Sequence, residues 1–251
     1  YGWHTVFFIL MCMGIVILIA SQIVLPNTYL PDTSISLKPR PIITNFIKII
    51  KEPQFYTYAF AGAIAFSGLF TYVAASPIVF MDIFKVDAKT YGWIFAFMSL
   101  SFISASQVNS LLLRKFKSEQ MIFGALISQT FVVILFLILS INDLLGLYGT
   151  IIMLFLFLAC LGISNPNTAG LTLAPFARNA GSASALMGAI QLGLGAFVSF
   201  AVGIFVDNSV VPMVIIMTIT TILAMIILIF GRRNIKRTIT NSTDEEIAIA
   251  H

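Results

Sequence analysis

Charge is what this sequence has least of. Its 251 residues hold 14 Lys and Arg and 10 Asp and Glu, together 10% of the chain, where a soluble domain carries about 25%. With 59% hydrophobic residues and a mean hydropathy of +1.01, that scarcity excludes a water-soluble fold, which has no place to hide so much apolar surface. Cysteine is nearly absent too. Cys12 and Cys160 lie inside separate apolar runs, without the number or spacing of a disulfide framework or a metal site. There is no Gly-rich phosphate loop of Walker type, no cluster of metal ligands and no interior His to complete a hydrolytic triad. An ATP-driven pump or a membrane enzyme needs those groups, so neither a cofactor nor enzymatic chemistry is expected.

What is present is apolar length. Seven runs approach or exceed the roughly 20 residues an α-helix needs to cross a bilayer: 4–24, 56–79, 91–113, 120–141, 146–173, 181–206 and 210–231. None contains Asp, Glu, Lys or Arg, each of which costs about 2.5–3.5 kcal/mol at the centre of a lone spanning helix. Helices are required because unpaired strand backbone is costly in lipid, and barrel strands are shorter and alternate. The expected fold class is therefore an all-α membrane protein.

The basic residues sort by side. If the spans alternate, every Lys and Arg except Lys85 and Lys89 falls on one side. They lie in the connection 25–55, the turn at Arg114, Lys115 and Lys117, the turn at Arg178, and the tail from Arg232. The positive-inside rule makes that side cytoplasmic, the C-terminus with it. These cations read as juxtamembrane anchors whose acidic partner is the lipid bilayer, not nucleic acid. Tyr1, Trp3, Tyr91 and Trp93 suit the opposite headgroup belt, with His4 an interfacial neighbour. The chain opens Tyr1-Gly2-Trp3-His4 at the mouth of an apolar helix, with no initiator Met and no basic leader, and so reads as a piece of a longer protein.

The spans are unevenly spaced. Residues 1–24 form one helix, and a long connection at 25–55 carries Pro26, Pro31, Pro39, Pro41 and Pro53. Six closely spaced helices follow over 56–231, then a tail at 232–251. Within the connection, Thr44 to Lys51 sets Phe46, Ile47, Ile49 and Ile50 against Lys48 and Lys51, the pattern of a short amphipathic surface helix.

This one-plus-six split resembles the join between the two six-helix halves of a major facilitator transporter. The run from Ala61 to Pro77 (Ala-Gly-Ala-Ile-Ala-Phe-Ser-Gly-Leu-Phe-Thr-Tyr-Val-Ala-Ala-Ser-Pro) resembles the seventh helix of the bicyclomycin-resistance (Bcr/CflA) family of multidrug antiporters. Phe80-Met81-Asp82 and Tyr91-Gly92-Trp93-Ile94-Phe95-Ala96 resemble its next turn and eighth helix. Asn179 to Gly188 (Asn-Ala-Gly-Ser-Ala-Ser-Ala-Leu-Met-Gly) resembles the start of its eleventh. The resemblance implies the sixth to twelfth helices of a major facilitator fold. It also implies multidrug efflux of a small drug-like substrate in exchange for protons, by alternating access in a bacterial inner membrane. Two departures stand out. The turn Ser110-Leu-Leu-Leu-Arg-Lys-Phe116 lacks the acid of the superfamily's Gly, Asp and Arg signature, and no span holds a carboxylate. The coupling acid is therefore expected in an N-terminal half preceding these residues.

Polar groups within spans mark a cavity best, because in lipid each needs a partner or water. They are Gln107 and Asn109 in the third span, Asn165 and Asn167 around Pro166 in the fifth, and Gln191 in the sixth. Interhelical hydrogen bonding is the plainer use of the same groups. By the resemblance these spans and the second face the central cavity, which gives Gln107, Asn165 and Gln191 as substrate-cavity residues, joined by Phe66, Phe70 and Tyr72 of the second span. Phe66 and Phe70, four residues apart, share a helical face suited to shape-tolerant stacking. Gly162 with Pro166 is expected to bend the fifth span, and Ala185, Ala189, Gly195, Ser199 and Gly203 to let helices approach the sixth closely.

Other classes fit less well. A retinal-type seven-helix receptor needs a Lys inside its last span, and 210–231 has none. A channel needs a filter loop or charged rings, which the short outer turns do not supply. Uptake of a sugar or another small metabolite is the alternative within the same fold, since amides also suit hydroxyl-rich substrates.

Overall fold

The structure, a computed structural model, describes residues 3–24, 39–205 and 209–235, apart from the side chains of Trp3, Pro39 and Arg178. Tyr1, Pro26, Pro31 and the tail residues Lys236 and Arg237 lie outside the described residues. Seven described helices are long and apolar enough to cross a membrane.

The chain separates into two units at Ile42. In the first, α1 (Trp3–Val24) is a 22-residue helix with no Asp, Glu, Lys or Arg. At 1.5 Å per residue it is about 33 Å long, against a hydrocarbon core of about 30 Å.

A second helix, α2 (Pro39–Lys51), leads into the other unit. It starts five residues before the expected Thr44, because Pro39 and Pro41 fall in its first turn, where a missing N–H costs no helical bond. Its apolar residues divide between two stripes. Ile49 is buried with Phe55, Ala59 and Ala183 and has Phe46 beside it, whereas Ile43, Ile47 and Ile50 are exposed. The single apolar face expected for Phe46 to Ile50 is thus split, one stripe against protein and one outward.

The six-helix unit contains α3 (Pro53–Pro77), α4 (Ala88–Leu112), α5 (Ser118–Ile141), α6 (Leu147–Leu173), α7 (Ala180–Phe205) and α8 (Val211–Arg232). Pro53 opens α3 at its first turn. At the other end Pro77 lacks the N–H for one rung, and the chain widens into a π-helical turn at Ile78–Ile83 before stopping. Asp87 caps α4, its carboxylate accepting from the backbone N–H groups of Lys89 and Thr90. Hydrogen bonds from Thr90, the side chain first and then the backbone, hold that carboxyl below the usual range.

Packing in this unit repeats by threes. Helix α3 packs on α6, α7 and α8, and α6 packs on α3, α4 and α5, while α5 meets α8. Exchanging α3, α4 and α5 for α6, α7 and α8 leaves this pattern unchanged. Three is odd and successive helices run in opposite directions, so the exchange inverts the direction of every helix. This is the signature of an inverted repeat. The result is a closed ring of α3, α6, α5 and α8, with α4 added on α6 and α7 added on α3.

Glycines let these neighbours touch. A Cβ on Gly162 of α6 would fall 2.3 Å from the Phe102 carbonyl oxygen of α4. One on Gly62 of α3 would fall 2.7 Å from Thr168 Oγ1 of α6, and one on Gly195 of α7 would meet the Phe70 ring at 2.5 Å. Helix α6 continues through Pro166 without interruption. Gly162 provides a notch into which the α4 backbone fits. Of the small residues of α7, Gly195 is buried against Phe70, whereas Ala185, Ala189 and Gly203 are exposed.

Candidate functional site

Where α3, α6 and α7 diverge, a cavity of about 170 Å³ opens. Its α3 wall is built from residues that recur every three or four positions, among them Ala59, Gly62 and Ala63. Asn165, Thr168 and Thr172 do the same on α6, and Met187 and Gln191 on α7. Space remains between the walls because several facing side chains are small, and the walls are held together where their ends are tied. Gln54 Nε2 at the start of α3 donates to the Leu171 carbonyl of α6 at 2.8 Å. Beyond the end of α6, Phe55 meets Phe176 edge to face at 5.6 Å.

The polar groups in the cavity divide into spent and available. Thr168 Oγ1 donates to carbonyls of its own helix, at 2.8 Å for Asn165 and 3.1 Å for Ser164, and Thr172 Oγ1 donates to the Thr168 carbonyl at 2.6 Å. Gln191 Nε2 donates across the cavity to Asn165 Oδ1 at 3.2 Å. That bond leaves the Gln191 carbonyl as an acceptor and the Asn165 amide N–H₂ as a donor for a guest. Both side chains are half-buried.

Of the six residues proposed from sequence, Asn165 and Gln191 therefore share one cavity. Phe66 and Phe70 are not in its lining; they follow Gly62 at successive turns of α3. Their rings meet at 5.8 Å, and Phe66 also reaches Phe102 of α4 at 6.3 Å. Tyr72 lies elsewhere. Two residues beyond Phe70 means about 200° around the helix, and its ring stacks on Phe95 of α4 at 5.9 Å with the hydroxyl buried and without a hydrogen bond. Gln107 is exposed, on the side of α4 away from the buried residues Met98, Ser101, Ala105 and Asn109.

The remaining polar pair closes a different seam. Asn167 Nδ2 donates to Asn109 Oδ1 at 2.6 Å, both residues buried between α4 and α6. Gly62, Thr168 and Met187 were not singled out from sequence. The three-residue step from Asn165 to Thr168 was a readable signal on α6, whereas Gly62 offers none until Thr168 is placed across from it.

An inverted-repeat bundle of apolar helices around a small amide-lined cavity has a counterpart among known families. The model of the Major Facilitator Superfamily matches residues 1–200. The chain belongs to the major facilitator superfamily. It is an integral, multi-pass membrane protein. It is 27% identical to the bicyclomycin resistance protein homolog of Haemophilus influenzae, over 94% of this chain and 59% of that one. It is also 27% identical to the MFS-type transporter YdgK of Bacillus subtilis, over 88% of this chain and 54% of the relative. Against the multidrug resistance protein MdtL of Shewanella oneidensis it is 22% identical, over 91% and 57%. The chain thus spans somewhat more than half the length of these major facilitator relatives, and the resemblance noted on α3, α4 and α7 falls on the same drug-resistance group.

Proposed function

We propose that this chain forms the C-terminal half, with one preceding helix, of a secondary transporter that exports small drug-like molecules in exchange for protons. The observation that carries the reading is the Asn165–Gln191 cavity between α3, α6 and α7, with the Phe66 and Phe70 rings at the next turns of α3. Its volume of about 170 Å³ is below the roughly 300–1,000 Å³ of a drug-sized site, so we read it as one wall of a larger cavity completed by the other half. Amides then orient the substrate and the phenylalanines accept varied apolar bodies. Alternating access follows from rocking of the halves about that site. The coupling carboxylate belongs to residues outside this chain, and the basic turns and C-terminus face the cytoplasm of a bacterial inner membrane. The drug-resistance names of two relatives support export.

A second reading, uptake of a sugar or similar metabolite, is favoured by the same two amides and the small volume. Expression of the full-length gene in an efflux-deficient host separates the two. Export predicts lower drug susceptibility and drug-induced proton movement in vesicles. Unchanged susceptibility across a broad panel without proton flux rejects it. Gln191→Ala and Phe70→Ala are expected to change the substrate profile at unchanged abundance. A fall in abundance alone would assign both residues to packing.

A further inference from the structure

A larger cavity, about 480 Å³, lies on the outside of the bundle between α5 and α6. Its α6 wall includes Leu156, Cys160 and Ile163, which at about 100° per residue fall on roughly the opposite side of the helix from Asn165, Thr168 and Thr172. The lining is mainly apolar, and on α5 it is kept open by the small residues Gly124 and Ser128, both exposed.

Three features give this groove one occupant. It runs from Gln120 to Val132 along α5, about 18 Å at 1.5 Å per residue, close to the roughly 15 Å of one leaflet of the hydrocarbon core. It begins beside the turn that carries Arg114, Lys115 and Lys117, all exposed. The nearby acid, Glu119, is 3.6 Å from Arg232 and does not offset that cluster. An apolar trough of leaflet length with a cationic mouth matches an anionic phospholipid. We propose that an anionic phospholipid of the surrounding bilayer binds here, its phosphate on the Arg114–Lys117 turn and one acyl chain in the α5–α6 groove.

The fold supplies a clean test. A Cβ on Gly124 meets nothing within 4 Å and Gly124 lines the groove, so Gly124→Phe is directed into the trough from an open position, and Gly124→Leu is a milder version. The protein is reconstituted in phosphatidylcholine vesicles containing phosphatidylglycerol with a photoactivatable acyl chain, or phosphatidylcholine carrying the same chain. Labelled residues are mapped by mass spectrometry, with circular dichroism melts confirming folding. Phosphatidylglycerol should label the α5 and α6 walls of the groove about tenfold more than phosphatidylcholine. Gly124→Phe and Gly124→Leu should remove that labelling. Changing Arg114, Lys115 and Lys117 to Gln should lower the preference for the anionic lipid by about fivefold per cation. Equal labelling by both lipids, labelling spread evenly over the outer helices, or groove labelling that survives in the folded Gly124 variants would overturn the proposal. So would protein-to-protein cross-links in place of lipid adducts.

Discussion

The α4–α6 seam and the α3–α7 seam occupy equivalent places in the inverted repeat, yet they are built differently. Between α4 and α6, Gly162 brings backbone against backbone. Ser101 Oγ donates to the Phe155 carbonyl at 2.7 Å, Asn167 bonds Asn109, and Phe97 stacks on Phe155 at 4.8 Å. Between α3 and α7, Gly195 meets the Phe70 ring, and lower down the two helices share with α6 the lining of the Asn165–Gln191 cavity. One seam is closed by polar bonds, whereas its counterpart borders a cavity whose amides come from α6 and α7. In a repeat architecture the working site is sought where the symmetry of packing fails.

The comparison breaks most readily at Gly162. Gly162→Leu forces a side chain against the Phe102 carbonyl, and neighbouring backbone cannot rotate away as a side chain can. A loss of about 3 kcal/mol, the upper end of ordinary overpacking, is expected, read as a lowered unfolding midpoint in mixed micelles. Next comes Asn167→Leu, which leaves Asn109 buried and unpaired at a cost of about 1–3 kcal/mol. Changing Asn109 and Asn167 together to Leu should cost less than the sum of the single changes, and strict additivity in that cycle would mean the bond is not formed. The smallest effect is expected at Gly195. The Cβ of Gly195→Ala meets a ring that can turn, so stability should fall by less than about 1.5 kcal/mol while the substrate profile of the full-length protein shifts through Phe70. A stability loss equal to that of Gly162→Leu would show the two seams to be alike after all.

The spans were legible from sequence because an uncharged run of bilayer length has few alternatives, and their ends are marked by Pro53, Asp87 and the basic turns. The pairing of Asn165 with Gln191 was legible only as two polar residues in two spans, since nothing in sequence says which faces meet. Tyr72 shows the limit. It lies beside Phe70 in the chain, and a two-residue step carries it to another side of the helix. Gly162 and Pro166 suggest a bend when read along one helix. Only the arrival of Phe102 from α4 gives the glycine its purpose. The cavity itself is made by side chains that are small or missing, and an absence of atoms gains meaning only when the opposing wall is known.

The short 3₁₀ turn at Ala174–Asn179, with Phe176 off helical geometry at φ −120° and ψ 38°, gives α7 the mechanics of a lever. The helix is 26 residues long, about 39 Å, and is pinned at its start where Phe176 rests on Phe55. A tilt of about 5° at that joint sweeps the Phe205 end by roughly 3 Å but moves Gln191, about 17 Å from the pivot, by little more than 1 Å. A rotation of that size away from α3 and α6 would open the far end of the α3–α7 seam by about the width of a water molecule and would also carry Gln191 Nε2, now 3.2 Å from Asn165 Oδ1, out of hydrogen-bonding reach.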